Sequence, residues 1–330
     1  MGWLSHVIDA GSEYRYSLAE LRGSLFVSEG NKAAKHTQFW MLLALSSFIA
    51  AGGVVGDSTP AVIGAMIIAP LATPIYGVAL ATTIGDTKAL RTSVLLLLGG
   101  IALNILIGVL VAALTLQRMP IDANPQIAGR TAPTLLDLGV AIAVGLAGSF
   151  AMARRDVSSI VAGVAIAISL VPVLAVVGIT IGAGRFDLAT GALILFLTNA
   201  AAIVVAGVLV FGGAHYFREA AEISPRLGRR ARATIIIALI VLLIPLSGAS
   251  VRTYLYQRYL GATRTAVDNW TNGTPWRVEG VNLINDDIVV TVVGPSATRD
   301  TTTLSNEIRD TVPDTVSVRL ISIDGTETPL

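Results

Sequence analysis

Five polar residues within apolar stretches are the candidates for chemical interactions inside the predicted membrane region. Hydroxyl and amide side chains occur at Thr73, Asn104, Ser169, Thr198 and Asn199, each within a long apolar stretch. Such groups bind a solute or an ion through hydrogen bonds, but they supply neither a nucleophile with its base nor a proton-carrying carboxylate. We therefore expect binding or passive conduction rather than catalysis. Hydrogen bonding between packed helices is the simpler interpretation of each residue taken singly.

Three prolines interrupt the same apolar stretches. Pro70 and Pro74 lie in the middle of one stretch and Pro172 lies in the middle of another. Proline removes a backbone donor and clashes with the preceding turn, so both stretches should bend or break as helices. Backbone carbonyls freed at such breaks would add to the binding groups.

The composition of the chain excludes several functional classes. Of 330 residues, 53% are hydrophobic and 14% are charged, and the mean hydropathy of +0.72 indicates a membrane protein. With no Cys and three His, the sequence offers no thiolate chemistry and little material for a zinc site, so we expect no cofactor, no metal and no enzymatic activity. The net charge of +1 leaves no basic excess for nucleic acid.

Seven apolar windows are long enough to cross a bilayer, which takes about 20 residues each. These predicted spans cover residues 38–56, 60–84, 92–116, 135–153, 157–183, 188–213 and 233–249. Residues 1–37 form a polar leader with the periodicity of an amphipathic helix, and residues 250–330 carry the alternation of a small α+β domain. We predict an α-helical polytopic membrane protein with a separate C-terminal domain.

Loop charges predict the orientation, because cytoplasmic loops collect Lys and Arg. The side that holds the N-terminus carries thirteen Lys and Arg residues, against six on the other side. We predict a cytoplasmic N-terminus and an extracytoplasmic C-terminus.

The second and fifth predicted spans share a pattern that indicates an internal repeat. Asp57 and Asp156 open the two spans, and Gly64 and Gly163 follow, each pair 99 positions apart. Three spans per unit give an inverted-topology repeat, so the core is predicted as 3+3 spans plus one, with a transport site at the repeat interface. Two alternatives stay open: short identities arise from composition alone, and carboxylates at helix N-termini complement the helix dipole.

These patterns define a set of residues that are candidates for a substrate pathway. They are the residues at the helix breaks and the polar residues of the apolar stretches, namely Asp57, Ser58, Gly64, Pro70, Thr73, Pro74, Asn104, Asp156, Ser158, Gly163, Ser169, Pro172, Thr198 and Asn199.

A basic segment follows the sixth span. Arg226, Arg229, Arg230 and Arg232 can contact anionic lipid, and ordinary positive-inside topology explains them equally well. Stretches rich in small residues make self-association plausible, so the expected partners are the bilayer, a small solute or ion, and further copies of the chain.

The stretch 39–77 resembles a known family. It contains Gly64-Ala65-Met66 followed by Pro70 and Pro74, and the polar loop Gly85-Asp86 comes next. In these features the chain resembles the prokaryotic membrane family called domain of unknown function 389, over roughly residues 36–215. The resemblance implies a multi-span protein of a bacterial or archaeal inner membrane, and it assigns no activity to any residue.

Two functions remain as hypotheses. The first is a transporter or channel for a small solute or ion, whose pathway is formed by the second and fifth spans. The second is a non-transporting scaffold or sensor whose extracytoplasmic domain binds a partner.

Overall fold

The computed structural model describes most of the chain. The described residues are 14–115, 121, 124–131, 133–157, 170–223, 255–256, 258–284, 287–295, 301–313 and 316–324. The chain divides into two compact units, Met1–Ala249 and Ser250–Leu330. The seventh predicted span and Arg226, Arg229, Arg230 and Arg232 lie outside the described residues, as do Ser158, Gly163 and Ser169.

The first unit consists of helices. In chain order they are α1 (Leu18–Leu25), α2 (Lys32–Val55), α3 (Thr59–Ile68), α4 (Ala72–Ile84), α5 (Thr87–Thr115), α6 (Pro125–Thr131), α7 (Leu135–Ala153), α8 (Leu170–Gly182), α9 (Phe186–Gly213) and α10 (Tyr216–Ile223).

Four of the described helices, α2, α5, α7 and α9, are long and apolar enough to cross a membrane. Helices α3 and α4 together make a fifth, broken span, bent by 43° at a short interruption. Helix α8, of 13 residues, covers the second part of the predicted fifth span. A helical protein with several apolar spans is therefore confirmed, and the described residues account for up to five of the seven predicted crossings.

Helix α5 shows which side of these helices faces the protein. Its buried positions carry mainly small or polar residues, and its exposed positions carry large aliphatic ones. The buried set includes Ser93, Gly100, Asn104, Gly108 and Ala112. The exposed set includes Leu95, Leu98, Leu106, Leu110 and Leu114. Small residues inside and leucines outside are the pattern expected where lipid surrounds a helix bundle, because lipid does not drive leucines inward.

Helices α5 and α8 approach each other very closely. A methyl group on Gly108 would lie 2.7 Å from the carbonyl oxygen of Ala175 and 2.9 Å from the Cα atom of Gly178. The backbones of the two helices therefore touch, which only glycine permits at this crossing. One turn further along, a methyl group on Gly182 would lie 2.7 Å from the Cβ atom of Ala112.

The break between α3 and α4 corrects one detail of the sequence prediction. Pro70 lies in the interruption itself, whereas Pro74 is the third residue of α4 and does not break it. Residues in the first turn of a helix need no intrahelical amide donor, so proline is tolerated there. Pro172 lies within α8, whose described part begins at Leu170.

The two ends of the bundle are closed by different short helices. Helix α6 lies where α2 ends and α3 begins, because the Asn124 side chain donates to the carbonyl of Val54 at 2.8 Å and Gln126 donates to Thr59 at 3.0 Å. We call this the α6 end. Helix α1 packs at the other end, near the loop between α4 and α5, where Arg22 pairs with Asp86 at 3.0 Å. We call that the α1 end.

The second unit contains the small sheet that the sequence predicts. A helix over 258–271, here α11, precedes strands β1 (Arg277–Ile284) and β2 (Asp287–Gly294), then α12 (Thr302–Arg309) and β3 (Val318–Asp324). The strand order is β1-β2-β3, with β1 antiparallel and β3 parallel to β2. The parallel pair is joined through α12, as parallel strands require a crossover. Its core contains Val267, Trp270, Val290 and Leu304.

The α5–α8 contact predicts the effect of a single methyl group. Gly178→Ala places a Cβ atom 2.8 Å from the Cα atom of Gly108, so the helices must separate, and we expect a loss of about 1–3 kcal/mol of stability. Gly64→Ala is the matched control, because nothing lies within 4 Å of its new methyl group and alanine favours a helix by about 0.5–1 kcal/mol. Thermal unfolding of the purified protein in detergent measures both. Equal melting temperatures for the two variants would contradict the contact.

Candidate polar cavity at the α6 end

A cavity of about 230 Å³ lies among helices α6, α7, α8 and α9. Among the described residues, three polar side chains line it: Arg130, Asp137 and Asn199. The remaining lining is mostly aliphatic, namely Val140, Ala141, Val144, Val173, Leu195 and Ile203. A few polar groups in an apolar cavity are the usual composition of a small-molecule site.

Arg130 reaches the cavity because α6 is held firmly in place. Asn124 caps this helix, accepting from the amides of Gln126 at 2.8 Å and Ile127 at 3.2 Å. At the other end of α6 the carbonyl of Thr131 packs directly on Gly191 of α9, where no side chain would fit. Two oxygens of Gln126 accept from Nη1 of Arg130, at 2.7 and 2.9 Å, and orient its guanidinium.

The guanidinium of Arg130 is only partly satisfied. Its Nε atom is buried and has no hydrogen-bond partner among the described residues. Burial lowers the pKa of Arg130 from its ordinary value, because desolvation disfavours the charged form. An unpaired buried donor costs about 1–3 kcal/mol, and more when the group is charged. An acceptor placed next to this Nε atom would remove that cost.

Asn199 and Asp137 complete the polar lining from opposite helices. The Oδ1 atom of Asn199, on α9, is buried without a partner among the described residues. Asp137, on α7, forms a capping box with Thr134, accepting from its amide and hydroxyl at 2.7 Å each. This capping role was the simpler interpretation of an acid at a helix start, and the carboxylate fulfils it while also lining the cavity.

Asn104 has a different environment from Asn199. It is fully buried in α5, and its Nδ2 donates to the carbonyl of Val171 in α8 at 3.3 Å, while its Oδ1 has no partner in the described part of the chain. Asn104 therefore joins two helices, as the packing interpretation predicts. Of the four that the structure describes among the five polar residues considered first, Asn199 alone lines the cavity.

The other pathway candidates are spread over the first unit. Asp57 lies exposed in the turn after α2 with a positive φ of 47°, and Ser58 is the N-cap of α3 without a side-chain cap bond. Thr73 is half-buried beside the helix break, and Thr198 is half-buried in α9.

Asp156 belongs to the α1 end instead of to the cavity. It pairs with Arg154 at 2.8 Å, and the hydrogen bond from that guanidinium holds the pKa of the Asp156 carboxyl below its usual range. Asp156 therefore does not line the cavity. On sequence alone, Asp156 and Asn199 are both pathway candidates.

Residues 14–29, which we call the α1 segment, connect loops from across the α1 end. The amide of Tyr16 donates to the carbonyl of Ala153 at 3.0 Å, and the amide of Arg155 donates to Tyr14 at 2.8 Å. The Tyr216 hydroxyl donates to the carbonyl of Tyr16 at 2.8 Å.

Ion pairs add to these backbone contacts. Arg15 pairs with Glu219 and donates to the carbonyl of Ala214 at 2.7 Å. Arg155 donates to Glu20 at 2.6 Å. Together with the Arg22–Asp86 pair, these contacts tie the α1 segment to the ends of α4, α7 and α9.

Two cavity residues were not singled out from the sequence. Arg130 stands in the loop between the predicted third and fourth spans and counts there only as a loop charge, and Asp137, at the start of the fourth span, is interpreted as a helix N-terminal carboxylate. A usable signal was present: Asn124 and Pro125 mark the start of a helix, which would bring Arg130 back toward the bundle.

The outward-facing leucines, apolar helices and broken span are consistent with a helical membrane protein that crosses the bilayer several times. Residues 66–205 match the model of the domain of unknown function 389 (DUF389), which confirms the resemblance read from the sequence. The matched segment contains the helix break, the α5–α8 contact and the cavity.

One curated relative extends the match. An uncharacterized protein of the archaeon Methanocaldococcus jannaschii is 36% identical over 172 residues, which are 52% of this chain and 52% of the relative. The chain thus spans about half the length of the curated relative it matches. No solved structure matches the chain.

The α1 segment predicts a dependence on acid pH. Hydrogen bonds from Arg155 and Ser17 lower the pKa of Glu20 from 4.5 to about 2. A lowered pKa in the folded state stabilises the segment above pH 4.5, and this contribution is lost as the pH falls toward 2. We expect the amides of Tyr16 and Arg155 to lose protection from hydrogen exchange in that window, and Glu20→Gln to remove the dependence.

Glu222→Gln serves as the control for this measurement, because Glu222 is an exposed carboxylate of α10 at the same end. It should retain the wild-type pH profile. An unchanged profile in Glu20→Gln would contradict the assignment.

Proposed function

We propose that this chain is a membrane transporter or channel for a small solute, with its pathway between two inverted repeats. Residues 32–115 form the first repeat and residues 135–213 the second. The observation that carries the proposal is a reciprocal pair of helix contacts between the repeats, α5 with α8 and α4 with α9. Inverted repeats with interrupted helices are a common architecture of solute transporters, which bind their substrate at the repeat interface.

The reciprocal contacts involve four small residues. Gly108 on α5 touches Gly178 on α8, and Gly207 on α9 touches Ala79 on α4, where a methyl group on Gly207 would lie 2.6 Å from the Ala79 Cβ atom. Gly207 stands 99 positions after Gly108, and Gly178 stands 99 positions after Ala79. Each repeat therefore offers the same two surfaces to the other, which is the signature of a two-fold relation between them.

The turns after α4 and α8 are also equivalent at this offset. Gly85 and Gly184 both adopt positive φ, of 71° and 74°. The following residue donates in both cases to the carbonyl five residues back, Asp86 to Ala81 at 3.0 Å and Arg185 to Thr180 at 2.8 Å. Helices α5 and α9 then begin 99 positions apart, at Thr87 and Phe186. Both turns are the glycine-terminated helix ends common in proteins, and their occurrence at one offset supports the proposed repeat.

The contacts at the two ends support an inverted relation. The α6 end gathers the turn between α2 and α3 and the first turns of α9, through Val54, Thr59 and Gly191. The α1 end gathers the loop between α4 and α5 and the ends of α7 and α9. Helices α2, α3–α4 and α5 thus amount to an odd number of crossings per repeat, and a second repeat after an odd number enters from the opposite side.

The two halves differ in one respect that suits transport. Asn199 lines the cavity, and the residue 99 positions before it is Gly100. A methyl group there would lie 2.9 Å from Leu71 and 3.1 Å from Leu43, so the equivalent space in the first repeat is filled by side chains. A cavity that is open in one repeat and filled by side chains in the other is the asymmetry expected of one state of a transporter that works by alternating access.

The orientation follows from charge. The α1 end carries most of the basic residues, so we place it in the cytoplasm of a prokaryotic cell and the α6 end outside. The C-terminal unit is proposed to be extracytoplasmic. Self-association stays a prediction.

Introduced cysteines test whether water reaches the proposed pathway, since the chain has no native Cys. Thr73→Cys lies at the helix break and Val144→Cys in the cavity lining. We expect a membrane-impermeant maleimide to modify both in intact membranes, because a water-filled pathway admits the reagent and allows the thiolate to form.

Two control variants show what an inaccessible cysteine looks like in this experiment. Ser47→Cys replaces a fully buried hydroxyl of α2 with a thiol of similar shape, and Leu98→Cys lies on the outward, lipid-facing side of α5. Both should stay unmodified. If Thr73→Cys and Val144→Cys also stay unmodified in folded protein, the core is dry, and the scaffold or sensor hypothesis is favoured over transport.

A further inference from the structure

We propose that the cavity at the α6 end binds a small solute that carries both a carboxylate and a hydrogen-bond donor, such as a hydroxy acid or an amino acid. The proposal rests on the proposed transport function, since it names the class of solute. It is carried by Arg130, Asn199 and Asp137, which line one cavity from three helices.

Arg130 supplies the anion-binding group. Gln126 holds its Nη1 through two oxygens, so the guanidinium is fixed in one plane before any ligand arrives. Its Nε atom is buried and has no partner among the described residues. A planar guanidinium with an unused donor matches a carboxylate, which accepts two parallel hydrogen bonds from such a fork.

Asn199 and Asp137 favour a ligand that also donates. The buried Oδ1 atom of Asn199 is an acceptor without a donor in the described part of the chain. Asp137 adds an acidic side chain to the same lining. An anion with acceptors alone would leave Asn199 unpaired and would face the Asp137 carboxylate, whereas a hydroxyl or ammonium group beside the carboxylate satisfies both.

The cavity also limits the size of the ligand. Its volume of about 230 Å³ lies below the range of about 300–1,000 Å³ typical of drug-sized ligands. The rest of the wall that the described residues form is mostly aliphatic, so it offers few partners for polar groups beyond those that Arg130 and Asn199 bind. We therefore expect solutes of a few non-hydrogen atoms.

Binding of simple probes to the full chain in lipid nanodiscs tests the proposal. The probes are lactate and glycine, which carry a carboxylate and a donor; acetate, which carries a carboxylate alone; and ethylene glycol, which carries donors alone. Each bound probe raises the thermal midpoint with its concentration, and this dependence gives the dissociation constant. We expect lactate or glycine to bind about 10-fold more tightly than acetate or ethylene glycol.

Three variants connect this binding to the cavity. Arg130→Gln should weaken it about 10- to 100-fold, because a charge-assisted hydrogen bond is lost. Arg130→Lys should bind with intermediate affinity, since lysine keeps the charge but not the fork. Asn199→Ala should remove the preference for lactate or glycine over acetate. Arg185→Gln, which removes a charge beside Asp187 at the start of α9, is the control and should bind as the wild type does.

Specific outcomes overturn the proposal. It fails if no probe binds, or if acetate binds as well as lactate and glycine. It also fails if Arg130→Gln or Arg130→Lys binds as tightly as the wild type while its thermal midpoint without probe is unchanged. Any of these results leaves the transport function standing when Thr73→Cys and Val144→Cys are labelled. Transport itself fails when those cysteines are inaccessible.

Discussion

Direct contact between helix backbones is the constraint on which this protein depends. In lipid the apolar side chains gain little by turning inward, so helices associate through close packing and interhelical hydrogen bonds. Gly108 and Gly178 allow the backbones of α5 and α8 to touch, and Gly207 allows the backbone of α9 to approach the Ala79 side chain of α4. These two crossings hold the broken helix α3–α4 and the short helix α8 against the long spans. The cavity exists because the helices around it are fixed elsewhere.

The packing of the surrounding helices also keeps the polar groups of the cavity in their buried positions. Arg130 is held by α6, and α6 is itself anchored to the end of α2 through Asn124 and to α9 through Thr131. Its desolvation is therefore imposed by neighbouring elements and is not relieved by a change of rotamer. Under the proposed function, a ligand carboxylate supplies the missing partner, and the free energy of that pairing becomes binding energy.

The sequence predicted elements where local signals and hydropathy agree. The window 135–153 coincides with α7, because Thr134 and Asp137 form a capping box at its start. Helix α5 begins at Thr87 rather than at 92, since Asp86 accepts from the amides of Lys88 and Ala89, and hydropathy does not register such a cap. The second span was correctly expected to be interrupted, although Pro70 alone lies in the break.

The cavity was beyond sequence reasoning because its parts come from distant positions. Asn199 was a candidate on its type and place, but Asn104 looked the same and proved to join two helices. What distinguishes the two amides is the position of α6 and α8 in space. The sequence around a polar residue in an apolar helix does not show whether its side chain will contact a backbone carbonyl or line a cavity.

The α1 segment bears on the speed of any motion between the repeats. It holds Asp86 in the first repeat through Arg22 and residues 153–155 at the end of the second through Tyr14, Tyr16 and Glu20. Under the proposed function, a relative rotation of the two repeats would have to break these links, which include partly exposed ion pairs. Salt screens such pairs within about 8 Å at physiological ionic strength. The links between residues 14–29 and the ends of the other helices therefore weaken as the ionic strength of the solution at the α1 end rises.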